Sequence, residues 1–148
     1  MVELAKPRLR YFSRSEFGLW WPLMSSDLLK KLDLFREKWG HAVEVSNSPG
    51  AIGREGENNS QHNPSIWGEV RAVDVFPKIN GQYITALADR QRAYQIAREV
   101  GFTGIGIYTD TKPGNMLHLD VRADRKESNP AQWSRVDQNY RAIADVIA

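Results

Sequence analysis

Only three imidazoles are available to this chain, His41, His62 and His118, and it contains no cysteine. Disulfides, a cysteine nucleophile and sulfur-ligated metals are therefore excluded. What remains is imidazole combined with carboxylate. Leu117-His118-Leu119-Asp120-Val121-Arg122 reads as a strand with His118 and Asp120 on one face and Leu117, Leu119 and Val121 on the other. Ala72-Val73-Asp74-Val75 reads the same way, with the small Ala72 beside Asp74. A carboxylate in an apolar strand is costly unless it is paired or holds a cation. His62, Asp74 and His118 make a candidate His₂Asp set, which suits zinc with three protein ligands and an open position. Zinc there would polarise a carbonyl and lower the pKa of water toward about 7. Asp120, two residues past His118, is placed to shuttle a proton. These residues also have plainer uses. His41 follows a glycine helix stop and reads as structural, and either aspartate could simply pair with Arg71 or Arg122. Trp20, Trp21 and Trp67 read as core or groove aromatics.

The elements that must carry these residues alternate along the chain. Ser13 or Ser15 caps a short turn through Glu16 and Phe17. Ser25 or Ser26 caps a helix over 27–39, with Leu28, Leu32 and Phe35 at helical spacing and Gly40 as its stop. Residues 42–46 alternate as a strand, and 47–68 form a long polar loop rich in Gly, Asn, Ser and Pro. A loop of that length inside a compact domain usually serves function. A strand over 70–76, a Thr85-capped helix ending at Gly101, and strands over 104–108 and 116–121 follow. Asn129-Pro130 opens a last predicted helix carrying Trp133, Val136, Tyr140, Ile143 and Val146. The expected class is α+β, with helices packed on a small, mainly antiparallel sheet in a single domain over 1–148.

Composition narrows the function classes. The 148 residues include 20 Lys+Arg against 18 Asp+Glu, a net charge of +2, with a pI near 9.0. Without a clustered basic face this does not argue for nucleic acid. No stretch reaches the roughly 18–20 apolar residues that span a bilayer. The basic start (Lys6, Arg8, Arg10, Arg14) is not followed by an apolar run of signal-peptide length. The expectation is a soluble monomer made in the cytoplasm, with no membrane and no nucleic-acid partner.

The order Tyr11-Phe12-Ser13-Arg14-Ser15-Glu16-Phe17, the helix at 27–39, AVEVS, SQH, AVDV, GIGIY and LHLDVR resembles the M15 family of zinc peptidases. These include D-Ala-D-Ala carboxypeptidases and peptidoglycan endopeptidases, many of them phage endolysins, and they share a fold with the hedgehog signalling domain. The resemblance covers about residues 11–122. It implies a hedgehog/DD-peptidase-like fold, Zn2+ as cofactor, and His62, Asp74 and His118 as its ligands. It implies hydrolysis of an amide bond in peptidoglycan stem peptides, with Asp120 as general base and Asp110 as a weaker alternative. Arg54, in AIGRE, resembles the family arginine that grips a substrate carboxylate or the developing oxyanion. Ser60 of the Ser-x-His motif and Trp67 are expected to meet substrate.

The chain departs from the pattern in two places. The interval from His62 to Asp74 is longer than usual, through an insertion containing Asn63 to Gly68. Asn115 stands where several subfamilies carry an acid three residues before the last histidine. An alternative alignment, to members ending His-x-His, makes Asp120 the ligand and His118 its catalytic neighbour. A phage or prophage lysis enzyme would reach the wall through a holin. The rival readings are an M15-fold binding or virion-structural protein that has lost turnover and, more remotely, a nucleic-acid-binding domain.

Overall fold

The computed structural model describes residues 5–148. The chain enters through a 3₁₀ stretch, Arg14–Leu23, broken at Gly18, and Ser13 and Glu16 form a capping box at its start. Helix α1 (Ser26–Trp39) begins where the Ser25 side chain accepts from the Leu28 amide and ends at Gly40 in the left-handed region. Its Leu28, Leu29, Leu32, Phe35 and Trp39 are buried. Strand β1 (Val43–Val45) leads into the long loop, which holds one helical turn, α2 (Pro64–Trp67). Then come β2 (Ala72–Ile79), β3 (Gln82–Tyr83), α3 (Leu87–Val100), β4 (Gly104–Tyr108), β5 (Met116–Asp120), β6 (Ala131–Val136), β7 (Asn139–Arg141) and α4 (Ala144–Ile147). The α3 cap residue is Ala86, and the Thr85 carbonyl instead accepts from Arg90.

The fold is α+β. The seven strands run in the order β1-β2-β5-β4-β6-β7, with β3 paired to β2. Every pairing is antiparallel except β4 with β6. Alternation divides the sheet into two faces. Val73, Val75, Ile105, Ile107, Leu117 and Leu119 are wholly buried and join the apolar faces of α1 and α3 in one core cluster. The other face carries the polar residues singled out by their spacing.

One expected element is wrong. The segment after Pro130 forms a hairpin, β6–β7, followed by the single turn α4, rather than one helix. Its apolar residues fall at three- and four-residue intervals, which imitates a helix. The free edge of β4 decides otherwise, because β6 pairs along it from Gly104–Ala131 to Tyr108–Arg135. Pairing of Val136 with Asn139 leaves a two-residue turn, Asp137-Gln138. Both turn residues have positive φ, as tight hairpins require. The Asp110 carboxylate accepts from the Gln138 amide at 2.7 Å and fixes that turn. The consequence is functional, since Trp133, Arg135 and Tyr140 now stand on or beside the polar face.

Candidate metal centre

Register assembles the site in rows across the sheet. Asp74 pairs with His118, His118 with Gly106, and Gly106 with Trp133. One row behind lie Ala72, Asp120, Gly104 and Ala131, and one row ahead lie Met116, Tyr108, Arg135 and Tyr140. Small residues in these rows make room for large ones. A Cβ on Gly106 would come within 2.6 Å of the Trp133 indole nitrogen, and one on Gly104 would collide with the Asp120 carboxylate. The alternation in GIGIY thus keeps β4 flat where the site needs space.

His62 reaches the same place from the loop. Past β1 the chain stays beside β2, with the Ala51 carbonyl accepting from the Asp74 amide at 2.9 Å. The Ile52 carbonyl then lies 2.7 Å from Nδ1 of His62, which fixes Nδ1 as the protonated nitrogen and turns the Nε2 lone pair toward Asp74. Asn63 is fully buried and ties the loop together: its amide donates to the Gly56 and Asn58 carbonyls, and its oxygen caps α2. The long interval between His62 and Asp74 is taken up by α2, which Gly68 closes in the left-handed region.

His62, Asp74 and His118 converge, all three buried, with one donor atom of each within 4.8 Å of the others. Oδ1 of Asp74 stands 3.3 Å from Nε2 of His62 and 3.2 Å from Nδ1 of His118. Yet Nε2 of His62 and Oδ1 of Asp74 are buried with no hydrogen-bond partner. Two orphaned lone pairs facing each other are costly in an empty protein interior and favourable around a cation. Ligands about 2.0–2.1 Å from a tetrahedral ion stand about 3.3 Å apart. The observed spacing fits that geometry, and the group can hold a metal ion.

Asp120 lies behind the cluster, wholly buried. Its Oδ2 accepts from Nε2 of His118 at 2.7 Å and from the Arg122 guanidinium at 2.6 Å. Its Oδ1 accepts from Nε and the backbone amide of Arg122 at 2.9 and 3.1 Å. Arg122 in turn covers the Trp133 ring, whose centroid is 5.0 Å from that of His118. Burial works against charge throughout this group, but the partners prevail. Burial raises the Asp74 carboxyl, yet the His118 and His62 rings bring it down to about 2. Burial disfavours the His118 cation, yet Asp120 and Asp74 lift its pKa to about 9. Asp120 is likewise held below the usual carboxylate range by His118 and Arg122 against the effect of burial.

A cleft of about 650 Å³ opens over the cluster. Arg54 and Ser60 line it, as do Tyr108, Lys112, Arg122, Trp133, Arg135 and Tyr140. Among the described residues Asp74 is the only carboxylate that lines it, so Asp120, expected as a proton shuttle, does not face the cleft. Trp67 is not on the cleft wall either. It donates to the Ser60 carbonyl at 2.8 Å, under the Arg71 guanidinium, and so braces the loop. Asp110 is occupied by Arg135 and Gln138. Asn115, just before β5, accepts from Arg90 at 3.1 Å and is not among the residues that line the cleft. His41 accepts from the Asn80 amide at 3.4 Å, away from the cluster.

Sequence reasoning missed Tyr108, Trp133 and Arg135. The glycines of GIGIY were a usable signal for Tyr108, because they mark the face on which it stands. No family model matches this chain, and no match is found among curated proteins or solved structures. Among the described residues no helix is long and apolar enough to cross a membrane.

Proposed function

We propose that this chain is a zinc-dependent amidohydrolase of the M15 type, cleaving an amide bond in the stem peptides of peptidoglycan as a cell-wall lysis enzyme. One observation carries the reading: two orphaned donor atoms, on His62 and Asp74, meet His118 at the floor of an open cleft. Imidazole nitrogen and carboxylate oxygen in a set of three are the donors of a catalytic zinc site. Bound zinc supplies Lewis acidity toward a carbonyl and an activated water. The chain's own residues do the rest. Ile52 and Asp120 each hold one imidazole nitrogen and so leave the other free to coordinate. Arg54 and Ser60 border the space in which a peptide would lie, and Arg54 is there to meet a substrate carboxylate. Trp133 stands beside His118 on the cleft wall.

A second reading has one observation in its favour. With Asp74 the sole carboxylate on the cleft wall among the described residues, a metal-binding relative without turnover fits the same geometry. Digestion of purified peptidoglycan, with and without chelator and read by mass spectrometry, separates the two. Chelator-sensitive release of stem-peptide fragments supports the hydrolase. Intact wall in the presence of folded, zinc-loaded protein leaves the binding role.

A further inference from the structure

We infer that Tyr108 is a catalytic residue of this site: its hydroxyl donates a hydrogen bond to the carbonyl oxygen of the scissile amide as that oxygen gains negative charge. The inference rests on the hydrolase reading and adds the group that meets the oxyanion.

Tyr108 stands on the same face of β4 as Gly106, one row ahead of His118 and Trp133. The Trp133 indole donates to the Tyr108 oxygen at 3.0 Å. That bond occupies a lone pair and leaves the phenolic hydrogen to be given elsewhere. Its neighbouring side-chain oxygen is the hydroxyl of exposed Tyr140, which a substrate carbonyl entering the cleft can replace as acceptor, and Tyr108 lines the cleft. The ring is fixed on two further sides. Arg135 lies over its face at 4.7 Å, and Tyr140 meets it edge-on at 6.2 Å. Arg135 itself is anchored by Asp110 at 2.9 Å, so the aromatic wall rests on a fixed ion pair. A donor held this way reorganises little as charge develops, which is where hydrogen bonds contribute most to rate.

The hydroxyl keeps its proton throughout and acts as a neutral donor. Burial holds the phenol up at about 12 against the opposing pull of the Trp133 N–H, so it stays protonated at any ordinary working pH. The other donors along the cleft are less suited to the task. Arg122 and Arg135 are tied to Asp120 and Asp110, Arg54 folds onto the Gly50 carbonyl, and Lys112 stands exposed at the rim.

The test is Tyr108→Phe, which keeps the ring and removes only the oxygen. With zinc-loaded protein and purified peptidoglycan, kcat is expected to fall about 100-fold, in line with loss of one oxyanion donor. KM and zinc affinity, measured by chelator competition, are expected to stay at wild-type values. Trp133→Phe, which retains a ring against His118 but frees the hydroxyl, is expected to lose less than Tyr108→Phe. Wild-type kcat in Tyr108→Phe, a defect confined to KM, or an equal loss in Trp133→Phe overturns the assignment while leaving the hydrolase reading intact. Absence of any release by the zinc-loaded wild type overturns the hydrolase reading and this inference with it.

Discussion

Oδ2 of Asp120 lies 2.7 Å from Nε2 of His118, the ring nitrogen turned away from Asp74. Arg122 holds the same carboxylate through both oxygens, so Asp120 is fixed in orientation before any ligand arrives. A buried carboxylate on the far nitrogen of a ligating histidine sets which nitrogen carries the proton and raises the basicity of the other. On the proposed reading, Asp120 is a positioning residue that acts through His118.

Substitution of Asp120 by Asn should lower zinc affinity about 10–100-fold, the usual cost of losing such a partner. Turnover should recover as zinc is raised toward saturation. A proton shuttle would behave oppositely, with normal affinity and a rate that zinc cannot restore. Chelator competition combined with a zinc titration of activity distinguishes these outcomes.

Gly106→Val tests the row from Asp74 to Trp133. A side chain at Gly106 would come within 2.6 Å of the Trp133 indole nitrogen, so the indole must leave its place beside His118. Overpacking of this kind typically costs about 1–3 kcal/mol. The expected result is a lower Tm together with a changed Trp emission. An unchanged spectrum would mean that Trp133 does not fill that position in solution.

How much of this was legible beforehand differs from element to element. The boundaries of α1 and of β4 follow from serine and glycine capping and from the strict alternation in GIGIY. His62, Asp74 and His118 could be singled out because a histidine and an aspartate on apolar strands ask for a partner. The β6–β7 hairpin was not legible, because Trp133, Val136, Tyr140 and Ile143 fall at helical intervals. Only the unpaired edge of β4 selects the strand. The place of Asp120 was hidden for a related reason. Sequence puts it on the face of His118, but not in the row behind it, under Arg122.

The acidity of His118 gives a pH signature. Its pKa in the metal-free fold is about 9, above the ordinary 6.5, because Asp120 and Asp74 outweigh burial. A raised pKa means that the folded state holds the proton more tightly. The stabilisation is complete below pH 6.5 and is lost as pH rises through 9. Metal-free wild type should therefore lose Tm over that window relative to His118→Gln. With zinc the trend should reverse, since the metal takes the deprotonated ring and its binding releases protons. A Tm difference independent of pH would contradict the assigned charge state.

Asn63→Ala probes the loop that delivers His62. Asn63 is buried, and its side chain holds the Gly56 and Asn58 carbonyls and the α2 start. Losing buried hydrogen bonds of this type costs about 1–3 kcal/mol. The expected effect is weaker zinc binding and faster amide exchange across residues 52–63, with the sheet amides unaffected. Exchange that rises equally in β4 and β5 would show that the loop is not a separate unit.

The most direct measurement is the zinc content of the purified protein after metal loading and gel filtration, for wild type and for His62→Ala, Asp74→Ala and His118→Ala. One zinc per wild-type chain is predicted, with loss of binding in each variant while the fold persists by circular dichroism. Zinc retained at wild-type level in all three variants, or no zinc bound by the wild type, would contradict the metal centre and with it the proposed function.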